Sequence, residues 1–128
     1  MAMEDGELRA PDCKVFIDAD ISETELISLT APVLFVAKDD VTLKVDVLKN
    51  EDYDSNRRRQ FPDGFIYFRY TLDLYMNDAP VTTKAAIVTR LLKQLWAWDY
   101  PAVAASAFED RLPKRGGYKS RAVPWPSN

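Results

Sequence analysis

An alternating pattern of side chains runs through residues 64–76, GFIYFRYTLDLYM, and it constrains the fold more than any other part of the sequence. The even positions from Ile66 to Met76 are all apolar or aromatic, whereas the odd positions from Phe65 to Tyr75 mix aromatic, charged and hydroxyl groups. A period of two places these sets on opposite faces of a β-strand. The pattern predicts a long strand, Gly64–Met76, near the middle of an antiparallel sheet, with its even face in the core.

A second alternating stretch, Lys14–Ile21, predicts the first strand. It is followed by Ser22-Glu23-Thr24-Glu25, which has the spacing of a capping box, in which Ser22 and Glu25 each accept a hydrogen bond from the other's backbone amide. A helix is therefore expected to begin here. Because a proline disfavours helical backbone in the preceding residue, Pro32 predicts a short helix, about Glu23–Thr30.

The next segments allow two interpretations. The apolar run Val33–Ala37 and the alternating run Val41–Leu48 predict a hairpin that turns near Lys38–Asp40. Alternatively, the first helix continues past Pro32 to Phe35, which leaves one strand here. The polar residues 49–63 then form a long connection, of the kind that is often functional or mobile.

The last elements predict a second helix and a final strand. Val88, Leu91, Leu92 and Leu95 recur at helical spacing within Lys84–Trp98, after a capping threonine at position 82 or 83. Pro101–Phe108 is small and apolar and predicts a buried strand. The expected fold is an α+β two-layer sandwich, β-α-β-β-(β)-α-β, with a mainly antiparallel sheet, two helices on one face and a ferredoxin-like arrangement. Residues 1–110 form this single domain, and residues 111–128 form an irregular basic tail.

Composition excludes several chemistries. The chain has no histidine, one cysteine and four glycines, so histidine-based catalysis, thiolate zinc sites and glycine-rich phosphate loops are absent. The sequence thus predicts no catalytic residues, no metal and no cofactor. With neither a signal peptide pattern nor a long apolar segment, a cytoplasmic location is expected and a membrane partner is not.

Charge is unevenly distributed along the chain. Five of its 17 Lys and Arg residues, and none of its 20 acidic residues, lie in residues 111–128, which leaves 12 basic and 20 acidic residues in 1–110. An acidic body attracts basic partners and repels nucleic acid. We therefore expect a basic protein partner and no nucleic acid.

Two groups of polar residues define the predicted binding surface, and both have competing interpretations. Asp18, Asp20, Asp46 and Asp73 are expected on one sheet face, where they form either a divalent-metal enzyme site or, as strand composition favours, a solvent face neutralised by Lys44 and Arg69. The three arginines of the connection either bind an anion or, as favoured, pair with Glu51, Asp52 and Asp54 in the same loop. The predicted binding residues are Phe65, Tyr67, Arg69, Asp73, Tyr75, Asp18, Asp20, Asp46, Arg57, Arg58 and Arg59.

Aromatic residues accompany these charges on the predicted open face. Phe16, Phe65, Tyr67 and Tyr75 loosely resemble a base-stacking platform, but their neighbours are acidic rather than basic, which disfavours nucleic acid. Aromatic and arginine side chains also anchor protein interfaces. The face therefore predicts protein binding, with a homodimer interface or a small-ligand site as alternatives.

The segments RRRQFPDGFIYFRYTLDLY and LLKQLWAWDYPAVAASAFEDRLPKRGGY resemble a family of small bacterial proteins. Together with a strand before an S-x-x-E helix, they are similar to immunity proteins of bacterial toxin systems, over about Val15–Tyr118. The resemblance implies a non-catalytic protein that neutralises a basic toxin, and it assigns no role to an individual residue.

Overall fold

The computed structural model describes residues 10–35, 42–77 and 79–127. Within these ranges the chain has an α+β fold in the order β-α-β-β-α-β. The elements are β1 (Cys13–Ile17), α1 (Glu23–Phe35), β2 (Lys44–Lys49), β3 (Tyr70–Tyr75), α2 (Val81–Ala97) and β4 (Ala102–Ser106). Short 3₁₀ helices lie at Arg57–Arg59, Asp63–Tyr67 and Glu109–Arg111, and Pro113–Gly117 forms tight turns in which Lys114, Arg115 and Gly116 have positive φ.

The four strands form one antiparallel sheet in the order β2-β3-β1-β4. Its core-facing side carries the alternate apolar residues predicted from the sequence, and both helices pack their buried residues into the same core. This core includes Cys13, Val15, Ile17, Tyr70, Leu72, Leu74, Leu26, Leu34, Val88, Leu91, Leu92 and Leu95. Two helices and an antiparallel sheet confirm the predicted α+β class.

The first helix begins as predicted but ends later. The Ser22 amide donates to Glu25 Oε1 at 3.0 Å and the Glu25 amide donates to Ser22 Oγ at 3.1 Å, which confirms the capping box. The helix includes Pro32 and ends at Phe35, so the prediction of a short helix was wrong and the alternative was correct. Burial of Leu34 beyond the proline accounts for the continuation, because tertiary packing outweighs local helix preference.

The predicted hairpin is therefore reduced to one described strand. Residues 33–35 are helical, and the expected turn at Lys38–Asp40 lies outside the described residues. The strand predicted at Val41–Leu48 is present as β2, with Val45 and Val47 packed against the core.

The prediction of a long strand at Gly64–Met76 was correct only for its second half. Only Tyr70–Tyr75 is a strand, and Asp63–Tyr67 is a 3₁₀ helix. Gly64 lies so close to the preceding turn that a Cβ atom would be 2.5 Å from the Arg57 carbonyl oxygen. Asn50 Nδ2 donates to the carbonyl oxygens of Ile66 and Phe68, each at 2.8 Å. These two carbonyls therefore accept hydrogen bonds from a side chain instead of from the backbone amides of a neighbouring strand.

The second helix starts three residues before the predicted Lys84. Its N-cap is Pro80 and no side chain caps it, so the prediction of a capping threonine was wrong. Its buried stripe contains all four residues predicted from their spacing. In the described part of the chain, no helix is long and apolar enough to cross a membrane.

Residues 111–127 of the basic tail pack against the other described elements. Trp125 Nε1 donates to the Arg59 carbonyl oxygen at 3.0 Å, and its ring lies 5.1 Å from Phe61 and 5.3 Å from Phe68. Gly117 has a φ of +98°, and a Cβ atom there would lie 2.9 Å from the Ala102 carbonyl oxygen. The tail therefore reaches both β4 and the connection between β2 and β3.

Candidate functional site

The sheet face opposite the helices carries a row of mainly apolar side chains across all four strands. Leu48, Thr71, Phe16 and Val103 are successive cross-strand neighbours. Thr71 and Val103 are buried, whereas Leu48 on the edge strand is 46% exposed. This row is the base of the candidate surface.

A charged row lies beside it on the same face, two residues away along each strand. Asp46, Asp73, Lys14 and Ala105 are cross-strand neighbours in that order. Lys14 Nζ lies 3.6 Å from Asp73 Oδ1, and Lys44 Nζ lies 4.0 Å from Asp46 Oδ2. Asp46 therefore pairs with Lys44, as the solvent-face interpretation predicted. Asp73 pairs with Lys14 instead of Arg69 and is only 8% exposed, so this part of the face is not open to solvent.

Tyr75 lies in the next row of cross-strand neighbours, two residues along β3 from Asp73. Lys44 is its cross-strand partner, and the Lys44 ammonium lies 5.4 Å from the centre of the Tyr75 ring. This distance is typical of a cation–π contact.

The 3₁₀ helix Asp63–Tyr67 places a ridge over the same face. The Phe65 ring lies 5.1 Å from the Phe16 ring and 5.7 Å from the Tyr118 ring, both edge to face. The neighbouring Ile66 is 42% exposed and borders a groove on either side. We call Phe65 and Ile66 the ridge, and the sheet face that carries it the ridge face.

A groove on the β2 side of the ridge, the β2 groove, has a volume of about 550 Å³. A groove on the β4 side, the β4 groove, has a volume of about 350 Å³. The β2 groove is lined by Lys14, Phe16, Leu48, Lys49, Asn50, Glu51, Asp52, Ile66 and Thr71. The β4 groove is lined by Asp63, Phe65, Ile66, Val103, Ala104, Ala105, Glu109 and Tyr118.

The structure divides the predicted metal-binding carboxylates between two places: Asp46 and Asp73 are cross-strand neighbours, whereas Asp18 and Asp20 lie beyond the end of β1. β1 ends at Ile17, so Asp18 and Asp20 lie beyond the strand that was expected to carry them. Asp18 accepts from Arg58 Nη1 at 2.6 Å and from the Arg69 amide at 3.2 Å. Asp46 instead lies on the edge strand β2. Among the described residues, no group of three or more His, Cys, Asp or Glu side chains could hold a metal ion.

The three consecutive arginines have mainly separate partners. The predicted pairing with acids of the same loop holds only for Arg57, whose backbone amide and, to a smaller extent, charge lower the pKa of Asp54. Arg58 binds Asp18 across 40 residues of sequence, and Arg59 Nη2 donates to Asn56 Oδ1 at 3.2 Å. The Arg57 guanidinium lies 5.4 Å from the centre of the Tyr67 ring. These contacts hold the connection to the sheet and to itself.

The acids of the connection have other roles. Asp54 accepts from the backbone amides of Asn56 and Arg57, each at 2.9 Å, and these hydrogen bonds lower its pKa. Glu51 and Asp52 line the β2 groove. Arg69, predicted to neutralise the acidic face, instead lies 4.5 Å over the Tyr53 ring and donates to its hydroxyl at 2.9 Å.

Of the predicted binding residues, the structure places Phe65 on the ridge, Asp46 and Asp73 in the charged row, and Tyr75 in the row beside it. Asp18 and Arg58 form an ion pair at the end of β1, where Asp18 also accepts from the Arg69 backbone amide. Residues that the prediction missed include Leu48, Ile66, Asp63, Glu109 and Tyr118. Leu48 was included in the predicted strand Val41–Leu48. Because it alternates with the inward-facing Val45 and Val47, the same period of two was the available signal that it faces away from the helices.

Two further side chains have perturbed acidities. Burial raises the pKa of the Cys13 thiol to about 12, with smaller contributions from the charges of Asp12 and Asp73. The pKa of Tyr118 is raised, first by its hydrogen bond to Asp63. Cys13 faces the core, so the ridge face does not use it.

Comparisons with protein-family models, curated proteins and solved structures find no match to this chain. The resemblance to toxin immunity proteins therefore stays a prediction from the sequence.

Proposed function

We propose that this protein is a non-catalytic protein-binding domain and that the ridge face is its binding surface. The observation that carries the proposal is the exposure of Leu48 and Ile66, 46% and 42%, on either side of the β2 groove. Large apolar side chains that border a concave surface mark interaction sites more strongly than single exposed ones do.

The composition of the β2 groove supports a protein partner. Its apolar side chains are surrounded by two lysines and two acids, Lys14, Lys49, Glu51 and Asp52. Protein interfaces typically combine an apolar centre with a polar rim of this kind.

We propose that the partner is a basic protein, such as a bacterial toxin that an immunity protein would neutralise. Residues 1–110 carry 12 basic and 20 acidic residues, which favours association with a positively charged partner. The sequence resemblance points to the same class of partner.

A pair of matched substitutions tests the surface. Leu48 and Ile27 are equally exposed, at 46% and 45%, but Ile27 lies on α1, on the other side of the sheet. We expect Leu48→Asp to abolish capture of the product of an adjacent toxin-like gene, and Ile27→Asp to leave it unchanged, in a pull-down with purified proteins. Circular dichroism would establish that both variants remain folded.

Three results would contradict the proposal. The toxin-like protein could bind neither the wild type nor either variant, or it could be captured equally by the wild type and Leu48→Asp. Sedimentation could also show a dimer that Leu48→Asp dissociates, which would assign the ridge face to self-association.

We also propose a ferredoxin-like arrangement for the fold. The sheet order β2-β3-β1-β4, together with the element order β-α-β-β-α-β, supports it. In such an arrangement the helices cover one sheet face and leave the other free for partners.

A further inference from the structure

The β4 groove has an apolar interior and an acidic mouth. Val103 and Ala105 line it from the sheet, and Phe65 and Ile66 line it from the ridge. Val103 is 1% exposed, although it lies on the face opposite the helices. The volume of about 350 Å³ lies within the range of about 300–1,000 Å³ that is usual for ligand pockets.

Two carboxylates, those of Asp63 and Glu109, line this groove. Tyr118 donates its hydroxyl hydrogen to Asp63 Oδ1 at 2.9 Å. The pKa of Tyr118 is raised by that hydrogen bond, then by desolvation, and then by the charges of Asp63 and Glu109. Both acids therefore lie close enough to the Tyr118 hydroxyl to influence it, and both line the groove.

The aromatic lining also suits a positive charge. The Tyr118 ring already contacts one cation of the chain itself, since Lys119 Nζ lies 5.3 Å from its centre. Phe65 supplies a second ring, 5.7 Å from Tyr118. A cation is attracted by the negative face of an aromatic ring as well as by the charge of a carboxylate.

We propose that the β4 groove takes an arginine side chain of the partner protein. Its aliphatic stem would lie against the exposed Ile66 and Ala105, and its guanidinium would lie at the mouth with Asp63 and Glu109. Arginine fits better than lysine because its planar guanidinium stacks on aromatic rings and binds carboxylates through two parallel hydrogen bonds. This inference rests on the proposed function and adds the chemistry of the residue that the partner inserts.

Amide chemical shifts in a peptide titration test the inference without the partner. The probe is a blocked pentapeptide, Gly-Gly-Arg-Gly-Gly, compared with versions that carry lysine or the neutral isostere citrulline. We expect shifts at Val103, Glu109 and Tyr118, and a Kd of about 1–10 mM for the arginine peptide. Because charge-assisted hydrogen bonds are lost, the citrulline peptide should bind about 10-fold or more weakly.

A matched pair of double variants tests the two carboxylates. Asp63→Asn with Glu109→Gln should weaken the arginine peptide about 10-fold, whereas Glu51→Gln with Asp52→Asn, which removes the same charge from the β2 groove, should not change its Kd. The wild-type spectrum elsewhere in each variant establishes folding.

Any one of four results in these two experiments would overturn the inference. These results are no shifts in the β4 groove up to about 20 mM peptide, equal binding of the citrulline peptide, equal or tighter binding of the lysine peptide, and equal weakening by the two double variants. Failure here with continued loss of toxin capture by Leu48→Asp would overturn the arginine inference alone and leave the proposed function standing.

Discussion

The ion pair between Asp18 and Arg58 provides the most direct test of how the connection between β2 and β3 is held. Asp18 Oδ2 lies 2.6 Å from Arg58 Nη1, and the two side chains are 12% and 17% exposed. A second pair, Asp110 and Arg115, has a similar length of 3.0 Å but side chains that are 79% and 73% exposed. The two pairs therefore differ mainly in their contact with solvent.

Double-mutant cycles isolate the pairwise interaction in each case. A hydrogen bond to a charged group contributes about 1.5–3 kcal/mol when water does not compete, whereas exposed ion pairs contribute about 0–1 kcal/mol. We expect a coupling energy of about 2 kcal/mol between Asp18 and Arg58, and below about 0.5 kcal/mol between Asp110 and Arg115.

The substitutions should remove charge and little else. Asp18→Asn keeps an oxygen that can accept from the Arg69 amide, and Arg58→Met keeps the aliphatic part of the side chain. The control cycle uses Asp110→Asn and Arg115→Met.

Urea unfolding, followed by tryptophan fluorescence, measures the free energy of unfolding of each variant. With a urea dependence of about 1–3 kcal/mol per molar, a coupling of about 2 kcal/mol corresponds to a displacement of roughly 1 M in midpoint. Equal coupling energies in the two cycles would refute the argument that burial, rather than distance, determines the strength of the Asp18–Arg58 pair.

Three further predictions concern single sites. Gly64→Ala should lower the free energy of unfolding by about 1–3 kcal/mol in the same urea assay, because the added methyl group overlaps the Arg57 carbonyl oxygen; an unchanged midpoint would contradict this. The backbone amide and hydroxyl of Ser22 hold the pKa of Glu25 below its usual value, so NMR titration should find that low pKa and Ser22→Ala should raise it. The Cys13 thiol, with its pKa raised to about 12 by burial, should not react with a thiol reagent at pH 8 in the folded protein. Since the unfolded thiol ionises near pH 9, this site should reduce stability progressively as pH rises from about 9 to 12; fast labelling without unfolding would contradict the burial argument.

Much of the fold followed from local pattern. The capping box at Ser22 and Glu25 needs only residues three apart, and the helical stripe from Val88 to Leu95 needs only a period of 3.6, so both were predictable. The alternation in β1, β2 and β3 identified the residues that face the core for the same reason.

The remaining differences arise where distant residues decide the backbone. Alternation continues through residues 64–69, but Asn50, 16 and 18 residues away, binds the carbonyl oxygens of Ile66 and Phe68. Likewise, Pro32 is a local signal to end α1, and the burial of Leu34 against the sheet outweighs it. Sequence periodicity contains no information about either contact.

The sequence by itself determined the α+β class, the core-facing residues of the observed strands and the unequal distribution of charge, because each depends on spacing or composition alone. Ile66, which the same alternation predicted in the core, is instead 42% exposed, because residues 63–67 form a 3₁₀ helix. Only the tertiary structure decided that Asp18 forms an ion pair with Arg58 instead of sharing a metal site with other carboxylates. It also decided that Tyr118, in the C-terminal tail, donates a hydrogen bond to Asp63. Those contacts join residues 40 and 55 positions apart. They depend on how the connection and the tail fold over the sheet, which is a property of packing between elements and not of any one element.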